Sequence, residues 1–482
     1  MKNYSVWEFE TQNNSDGEEI FKGEKVKTMK TLRHNTALRA VKLLDAVLLT
    51  LPFGVCWYLA YADNLAEPYF QKGNWLVIAL FFVLYVTYGR IYEGFRLTLS
   101  RISEMLMSQA LSALIADGIM YVITWLLAKH FPPVLPMLGV FAVQVALAGL
   151  WCTLAHQWYF GRYKAQKTAV IYDMREGLEQ LIQEYGLEKR FHVTATADVN
   201  TALEEELGIL DGVEVVFLCG VHSHERNIIL KQCVAKGVQV YVIPRIGDVI
   251  MSGAERMHMF HLPMLRVGRY NPNPEYLFIK RVFDLFVSGL ALVLLSPIMV
   301  AVGIAIKATD GGSAFYKQCR LTKDGRTFNV LKFRSMRVDA EKDGVARLST
   351  GDNDDRITPI GKFIRKCRLD ELPQLINIFK GEMSIVGPRP ERPEIAEQYY
   401  EELPEFALRL QAKAGLTGYA QVYGKYNTTP YDKLQMDLMY ISNPSFVEDL
   451  KIMFATVRIL FMPESTEGIS EGQTTAMSGE NN

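Results

Sequence analysis

Two adjacent carboxylates, Asp370 and Glu371, sit between a basic run and a proline in RKCRLDELPQLINIFKGEMSIVGPRP, residues 365–390. Neighbouring acids repel, so such a pair persists only where something offsets its charge. TPIGKFIRKCR has helical spacing, with Ile360, Phe363, Ile364 and Cys367 on one side and Lys362, Arg365 and Lys366 on the other. LDEL breaks it, and Pro373 suits the first turn of a new helix that ends near Gly381. The pair is therefore expected at a helix N-terminus, where unpaired N–H groups and the dipole favour negative charge, with Arg365, Lys366 and Arg368 as cationic neighbours. Such a setting is expected to keep a nucleophilic carboxylate ionised, although a plain capping role would explain the pair alone equally well.

The residues that follow favour chemistry on phosphates. MSIVGPRPERP sets Arg389 between Pro388 and Pro390, a rigid guanidinium with Arg392 close behind, suited to gripping phosphate oxygens in a bidentate fashion. KAGLTGYAQVYG adds Gly415, Gly418 and Gly424 with Thr417 and Gln421, a turn that can approach a ligand closely. Upstream, Tyr316–Arg337 carries Lys317, Arg320, Lys323, Arg326, Lys332, Arg334 and Arg337 against one acid, Asp324. A run this basic can hold anionic headgroups or a diphosphate, and a solvated strand face accounts for part of it.

These residues need elements to hold them at a membrane. The 482-residue chain is 49% hydrophobic with a net charge of −1, which argues against a polyanion-coating surface or a nucleic-acid partner. Its six cysteines lie far apart with no Cys-x-x-Cys pair, as expected of free thiols in a reducing compartment. Four apolar stretches, Val41–Ala62, Asn74–Tyr88, Ser108–Ala128 and Val134–Gln157, are near the ~20 residues that a helix needs to cross a bilayer. Basic residues precede the first, lie between the second and third (Arg90, Arg96, Arg101) and follow the fourth (Arg162, Lys164, Lys167), which places both ends of a four-helix transmembrane bundle in the cytoplasm. The polar N-terminus to about Gly23 and the tail from Glu464 read as disordered, and no cleavable signal peptide is visible.

Between the bundle and the acid pair, strands such as TAVIY, FHVTATA, VEVVFLCG and VQVYVIP alternate with helical runs, the pattern of a small Rossmann-like parallel α/β domain. Its first turn, YDMREGLEQL, lacks the glycines that admit a pyrophosphate, and His222 and His224 read as polar surface. Leu285–Lys307 is then long enough to span. Basic residues flank both of its ends, and Ser296-Pro297 lies at its middle, leaving two halves that rise roughly 15 Å each. The expectation is a re-entrant helix–break–helix that enters and leaves by one face. The resulting organisation is a basic tail over 1–36, four membrane helices over 37–160, the Rossmann-like domain over 164–270, a mainly helical catalytic domain over 276–462 with the re-entrant helix at 285–307, and a tail over 463–482.

Ser296-Pro297, KFRSM (Lys332–Met336), LDELPQLINIFKGEMSIVGPRPERP and GLTGYAQV together resemble the bacterial sugar transferase family, the monotopic phosphoglycosyl transferases. The resemblance covers about Tyr276–Leu460, and the membrane helices and alternating domain ahead of it resemble the long form of that family, typified by undecaprenyl-phosphate galactose- and glucose-phosphotransferases. It implies transfer of a hexose 1-phosphate from a UDP-sugar to polyprenyl (undecaprenyl) phosphate with release of UMP, at the first membrane step of exopolysaccharide, capsule or O-antigen assembly. In that scheme Asp370 is the nucleophile and becomes a phosphoglycosylated acyl phosphate, while Glu371 assists as base or metal ligand. Mg²⁺ is expected on Asp370 and Glu371, with Asp437 as a further candidate ligand. Lys332, Arg334, Arg365, Pro388, Arg389, Pro390, Arg392, Thr417 and Gln421 are the implied substrate-binding set. The implied setting is the bacterial inner membrane, multi-pass, with the catalytic domain and both termini cytoplasmic and a homodimer plausible for the long form. Ala414, Tyr419 and Asn443-Pro444-Ser445 depart from the family pattern and remove no charged group. A non-catalytic scaffold would show a degraded dyad or Pro-Arg-Pro loop, and a tethered sugar-nucleotide epimerase or dehydratase would show a glycine-rich first turn and a Tyr-x-x-x-Lys pair; the sequence shows neither.

Overall fold

The structure, a computed structural model, describes residues 14–69, 71–173, 177–270, 272–337, 356–424 and 428–460. It divides into two compact units, residues 1–164 and 165–482.

The first unit is built from α1 (Asn14–Cys56), α2 (Gln71–Ile91), α3 (Ile102–Leu127) and α4 (Leu135–Arg162). α1 and α3 each pack against both α2 and α4. The seam is filled by Leu49, Phe53, Phe81 and Tyr85 together with small residues such as Ala113 and Ala148, while Leu59, Leu76, Leu126 and Leu135 face outward. Small residues at the helix contacts and large apolar residues on the outer face are the packing expected where the surroundings are as apolar as the core. All four helices, and α9 below, are long and apolar enough to cross a membrane. One expectation is corrected. The chain is already helical from Asn14, where disorder to Gly23 was expected, and residues 1–13 lie outside the described part. A polar segment attached to a formed helix extends it without the unfavourable nucleation step that an isolated segment faces.

The second unit begins with β1 (Gln166–Tyr172), α5 (Leu178–Glu184), β2 (Phe191–Asp198), α6 (Val199–Glu204), β3 (Val215–Cys219), α7 (Ser223–Ala235) and β4 (Gln239–Ile243). The strands form an all-parallel sheet in the order β2-β1-β3-β4. The alternation in the sequence dictates this, because parallel neighbours need a crossover element between them. α8 (Ile246–Ser252) and the hairpin β5 (Glu255–Met259) and β6 (Leu262–Arg266) follow.

α9 (Pro274–Asp310) leads into the hairpin β7 (Phe315–Leu321) and β8 (Thr327–Phe333). Then come α10 (Pro359–Lys366), α11 (Gln374–Lys380), β9 (Ser384–Val386), α12 (Pro393–Glu402), β10 (Gly415–Thr417), α13 (Tyr419–Tyr423), α14 (Pro430–Ser442) and α15 (Phe446–Leu460). Val330, Ile378, Ile385, Tyr399, Leu438 and Ile452 form their common core. Val249 of α8 enters the same core, the Ser442 hydroxyl donates to Val249 O at 3.1 Å, and the Gln435 amide donates to Pro244 O, so the α/β segment is keyed to α14.

The expected break at Ser296-Pro297 is absent: α9 runs through it as one 37-residue helix. Proline at 297 cannot donate to the carbonyl four residues earlier, that of Val293. The Ser296 hydroxyl donates to that same oxygen at 2.8 Å, so the carbonyl is satisfied and the helix continues.

Backbones meet closely where β9 pairs in parallel with β10. A methyl group at Gly415 would lie 2.1 Å from Gly387 N, and one at Gly387 would lie 2.3 Å from Lys413 O. The glycine turn expected to approach a ligand thus approaches its own neighbour. Gly415→Ala should lower catalytic-domain stability by about 2 kcal/mol or more, read as a fall in Tm in detergent. Gly208→Ala, where a methyl meets nothing within 4 Å, should leave Tm unchanged.

Candidate active site

Leu369–Glu371 form a single 3-10 turn between α10 and α11, entered through Arg368 in the left-handed region at φ 55°. Asp370 is 9% exposed. Glu371 is the better held of the two: its Oε1 accepts from Lys332 Nζ at 3.2 Å and from Arg389 Nη2 at 3.0 Å. Each cation is fixed by its own element. The β7–β8 register puts Arg320 and Lys332 on the same hairpin face as the buried Phe328 and Val330, so these two of the seven basic residues turn inward. Asn377 of α11, 1% exposed, donates to Asn329 O at 2.8 Å and accepts from Leu331 N at 3.0 Å, which joins the helix behind the dyad to the strand that carries Lys332.

The loop of Arg389 is clamped through four successive carbonyls. Pro388 O accepts from Gly415 N at 2.9 Å, Arg389 O from Arg409 Nη2 at 2.9 Å, Pro390 O from Arg320 Nη1 at 3.0 Å, and Glu391 O from Leu321 N at 2.9 Å. With every carbonyl committed, the Arg389 side chain, 42% exposed, projects from a fixed backbone. Asp284 of α9 supports the approach to this loop, accepting from the Ser384 hydroxyl at 2.8 Å and from Ile385 N at 3.1 Å.

The two acids of the dyad are driven apart. Burial, and then the charge of Glu371, push the Asp370 carboxyl above its ordinary value, against the pull of Lys332, Arg365 and Arg368. Burial would raise Glu371 too, but Lys332, Arg389 and Arg368 outweigh it and hold it well below the usual carboxylate range. Among the described residues no hydrogen bond reaches the Asp370 carboxylate. The nearby cations favour Glu371, because Lys332 and Arg389 bond it directly, and Asp370 is left the less stabilised of the two. Burial likewise lowers Lys332, against the pull of Glu371, and brings Arg320 down to about 10, so the Arg320 guanidinium remains cationic near neutrality.

Other expected site residues are placed around this centre. Arg365 is close enough to act on Asp370 electrostatically, and its Nη1 is buried without a hydrogen bond. The Arg334 guanidinium lies over Gly312, and Arg392 occupies the N-cap position of α12. The Thr417 hydroxyl is engaged with that of Thr456 at 2.6 Å, and Gln421 donates to Leu416 O at 2.9 Å, so both brace the loop from behind. Asp437, 1% exposed, is taken up by Arg409 at 2.7 Å, which leaves it committed to an ion pair and not to a metal. No group of three or more His, Cys, Asp or Glu side chains converges among the described residues. The dyad alone still suits Mg²⁺, which is commonly bound by one or two carboxylates plus substrate phosphates, since both cations take only the Oε1 of Glu371. The sequence reading missed Asp284, Asn377, Glu391 and Arg409. An acid in RVFDLFV and an amide in LINIFKG, both in apolar runs, were the available signals.

The model of the family described as "Bacterial sugar transferase" matches residues 275–463, the segment that carries every element of this site. A Caulobacter vibrioides UDP-glucose:undecaprenyl-phosphate glucose-1-phosphate transferase is 37% identical over 191 residues, 39% of this chain and 71% of that protein. The chain belongs to the bacterial sugar transferase family. It is also 37% identical over 234 residues to an Aeromonas hydrophila UDP-N-acetylgalactosamine-undecaprenyl-phosphate N-acetylgalactosaminephosphotransferase, and 38% identical over 212 residues to an Escherichia coli UDP-glucose:undecaprenyl-phosphate glucose-1-phosphate transferase. These matches cover 48% and 43% of this chain, and the chain spans 54% and 44% of those relatives, about half their length.

The split dyad makes opposite stability effects testable. A carboxyl whose folded value is raised destabilises the fold above the unfolded range, whereas one whose folded value is depressed stabilises it there and loses that contribution as pH falls. Near pH 7, Asp370→Asn should therefore raise Tm. Glu371→Gln should lower stability by about 1–3 kcal/mol because Lys332 and Arg389 lose their partner. Equal and like-signed shifts would contradict the assignment.

Proposed function

We propose that this chain transfers a hexose 1-phosphate from a UDP-sugar to undecaprenyl phosphate in two displacements at Asp370. The observation that carries this reading is a buried carboxylate without a hydrogen bond, beside a second one locked by two cations. A desolvated, less stabilised carboxylate is the more reactive nucleophile, and the pairing of Glu371 keeps that charge in place at low cost. An Asp370 oxygen attacks the β-phosphorus, forming an O–P bond while the bond to the bridging oxygen breaks and its electron pair leaves with UMP. A phosphate oxygen of the polyprenyl phosphate then attacks the same phosphorus. The bond to Asp370 breaks, the carboxylate is restored and the polyprenyl-diphospho-sugar leaves. Arg389, presented from its clamped loop, and Lys332 bind the phosphate oxygens. Glu371 holds both in register. Mg²⁺ bound by Asp370 and Glu371 would screen the repulsion between anions.

The relatives' names supply the substrate class, and both hexose and N-acetylated hexosamine occur among them. The two ends of α9 support a re-entrant path. Arg281, near its start, donates to Ile378 O and Phe379 O at 2.8 and 2.9 Å, and near its end Val302 and Ile306 pack on Phe333 and Ile364. Both ends thus rest on the same body, which favours entry and exit by one face of a bilayer. Between them Phe286, Val293, Leu294, Val300 and Ile304 are exposed to whatever surrounds the helix. Together with the basic residues flanking the spans of α1–α4, this supports a topology with the catalytic domain and both termini in the cytoplasm of a bacterial cell whose inner membrane carries the bundle.

Purified protein in nanodiscs with undecaprenyl phosphate, Mg²⁺ and a panel of UDP-sugars should release UMP, and Asp370→Asn should abolish release. No UMP from any sugar, or undiminished release by the variant, would overturn the mechanism. The acid limb of the rate profile should fall above the ordinary aspartate value of 3.8, because the raised Asp370 must lose its proton before it can attack. Cysteines introduced before and after α9 should both label from the cytoplasmic face; labelling from opposite faces would restore a full span.

A further inference from the structure

The interior of the α1–α4 bundle holds two carboxyl groups that the transfer reaction does not use. Asp45 of α1 is 2% exposed and Asp117 of α3 is 3% exposed, and each faces a buried amide. Gln109 of α3 donates from Nε2 to Asp45 Oδ2 at 2.8 Å and to Gly94 O at 3.1 Å. Gln144 of α4, fully buried, donates from Nε2 to Leu49 O of α1 at 3.1 Å and is the polar neighbour of Asp117. Both N–H groups of the Gln109 amide are therefore committed, and one of the two of Gln144.

What remains is a surplus of acceptors. Asp45 Oδ1, Gln109 Oε1, both oxygens of Asp117 and Gln144 Oε1 are buried with no hydrogen-bond partner. An ionised carboxylate and an amide oxygen are both acceptors only, so neither pair can satisfy itself as it stands. One proton per pair changes this, since a carboxylic acid donates through its O–H to the amide oxygen while its other oxygen still accepts. A neutral acid also avoids a bare charge at membrane depth. The groups facing Asp45 from the other helices are Tyr85 of α2, Gln109 of α3 and Cys152 of α4. Those facing Asp117 are Gln144 of α4, with Cys56 at the end of α1 and Tyr61 in the helical turn that follows it. No lysine or arginine is among them.

We propose that the bundle binds two protons, one in each of two acid–amide pairs, Asp45–Gln109 and Asp117–Gln144, and that these protons lock α1, α3 and α4 together. The first pair joins α1 to α3, the second joins α3 to α4, and the bond from Gln144 to Leu49 O closes the ring back to α1. The assembly of the membrane unit is thereby linked to protons, independently of the chemistry at Asp370.

The test uses the full chain in nanodiscs near pH 7. Infrared spectra of wild-type protein carrying heavy-isotope-labelled aspartate should show a shifted carbonyl band of protonated carboxylic acid. Asp45→Asn and Asp117→Asn should each remove part of that band and leave the carboxylate bands unchanged. Loss of carboxylate intensity instead, or a labelled wild-type spectrum without acid carbonyl, overturns the proposal and points to a bound cation. Asparagine is neutral and supplies an N–H in place of the acid O–H, so both variants should also match or exceed the wild-type Tm and retain UMP release. A fall in Tm for both would likewise count against protonation. Because the isotope experiment needs no substitution, a variant that fails to fold leaves the question decided.

Discussion

A single carboxylate oxygen holds the site together. Glu371 Oε1 receives Lys332 from a strand 39 residues upstream and Arg389 from a loop 18 residues downstream. Two cations this close would repel without the anion between them, and the anion would not tolerate its burial without the cations. The rest of the catalytic part is arranged so that this three-way contact costs little to form. Asn377 sets the distance between strand and helix, and four bonded carbonyls set the loop. Asp370 is left beside this triad, adjacent in the chain and excluded from the pairing. The asymmetry follows from hydrogen-bond geometry, because both residues share the same turn and nearly the same burial.

Much of this was legible from the sequence. The alternation of apolar strands and helical runs over 167–269 marked the parallel sheet, and proline before LINIFK with glycine after it marked both ends of α11. The acid pair, the Pro-Arg-Pro loop and the basic run were all visible as residue types. Which of the two acids the cations would favour was not, because that depends on Lys332, which a strand register turns inward. The roles of Thr417 and Gln421 were hidden for a related reason. A polar side chain beside a glycine turn looks the same in sequence whether it faces a ligand or braces the backbone from behind, and here each already has a protein partner. The continuous α9 was hidden because proline predicts a lost hydrogen bond, and only the structure shows that the serine before it repairs the loss.

The α/β segment is attached to the catalytic part by a few contacts on α14, where Val249 enters the core and Gly253 lies against Ser442. α14 also carries Asp437, which orients Arg409, which in turn bonds Arg389 O. The helix that receives the accessory segment is therefore one contact removed from the loop that presents Arg389. A displacement of α14 would move the main chain at Arg389 without touching either acid.

The pairing of Ser296 with the Val293 carbonyl also bears on the interior of α9. A proline in a helix normally leaves an oxygen that seeks water or a polar neighbour. Here the hydroxyl next to it supplies the missing donor from within the same turn. The midpoint of the helix therefore presents hydrocarbon with a satisfied backbone, which is what an apolar surrounding would require of it. The same turn lacks one main-chain bond and is held by a side chain that can rotate, so it is the place where α9 can bend most cheaply while its two ends stay fixed.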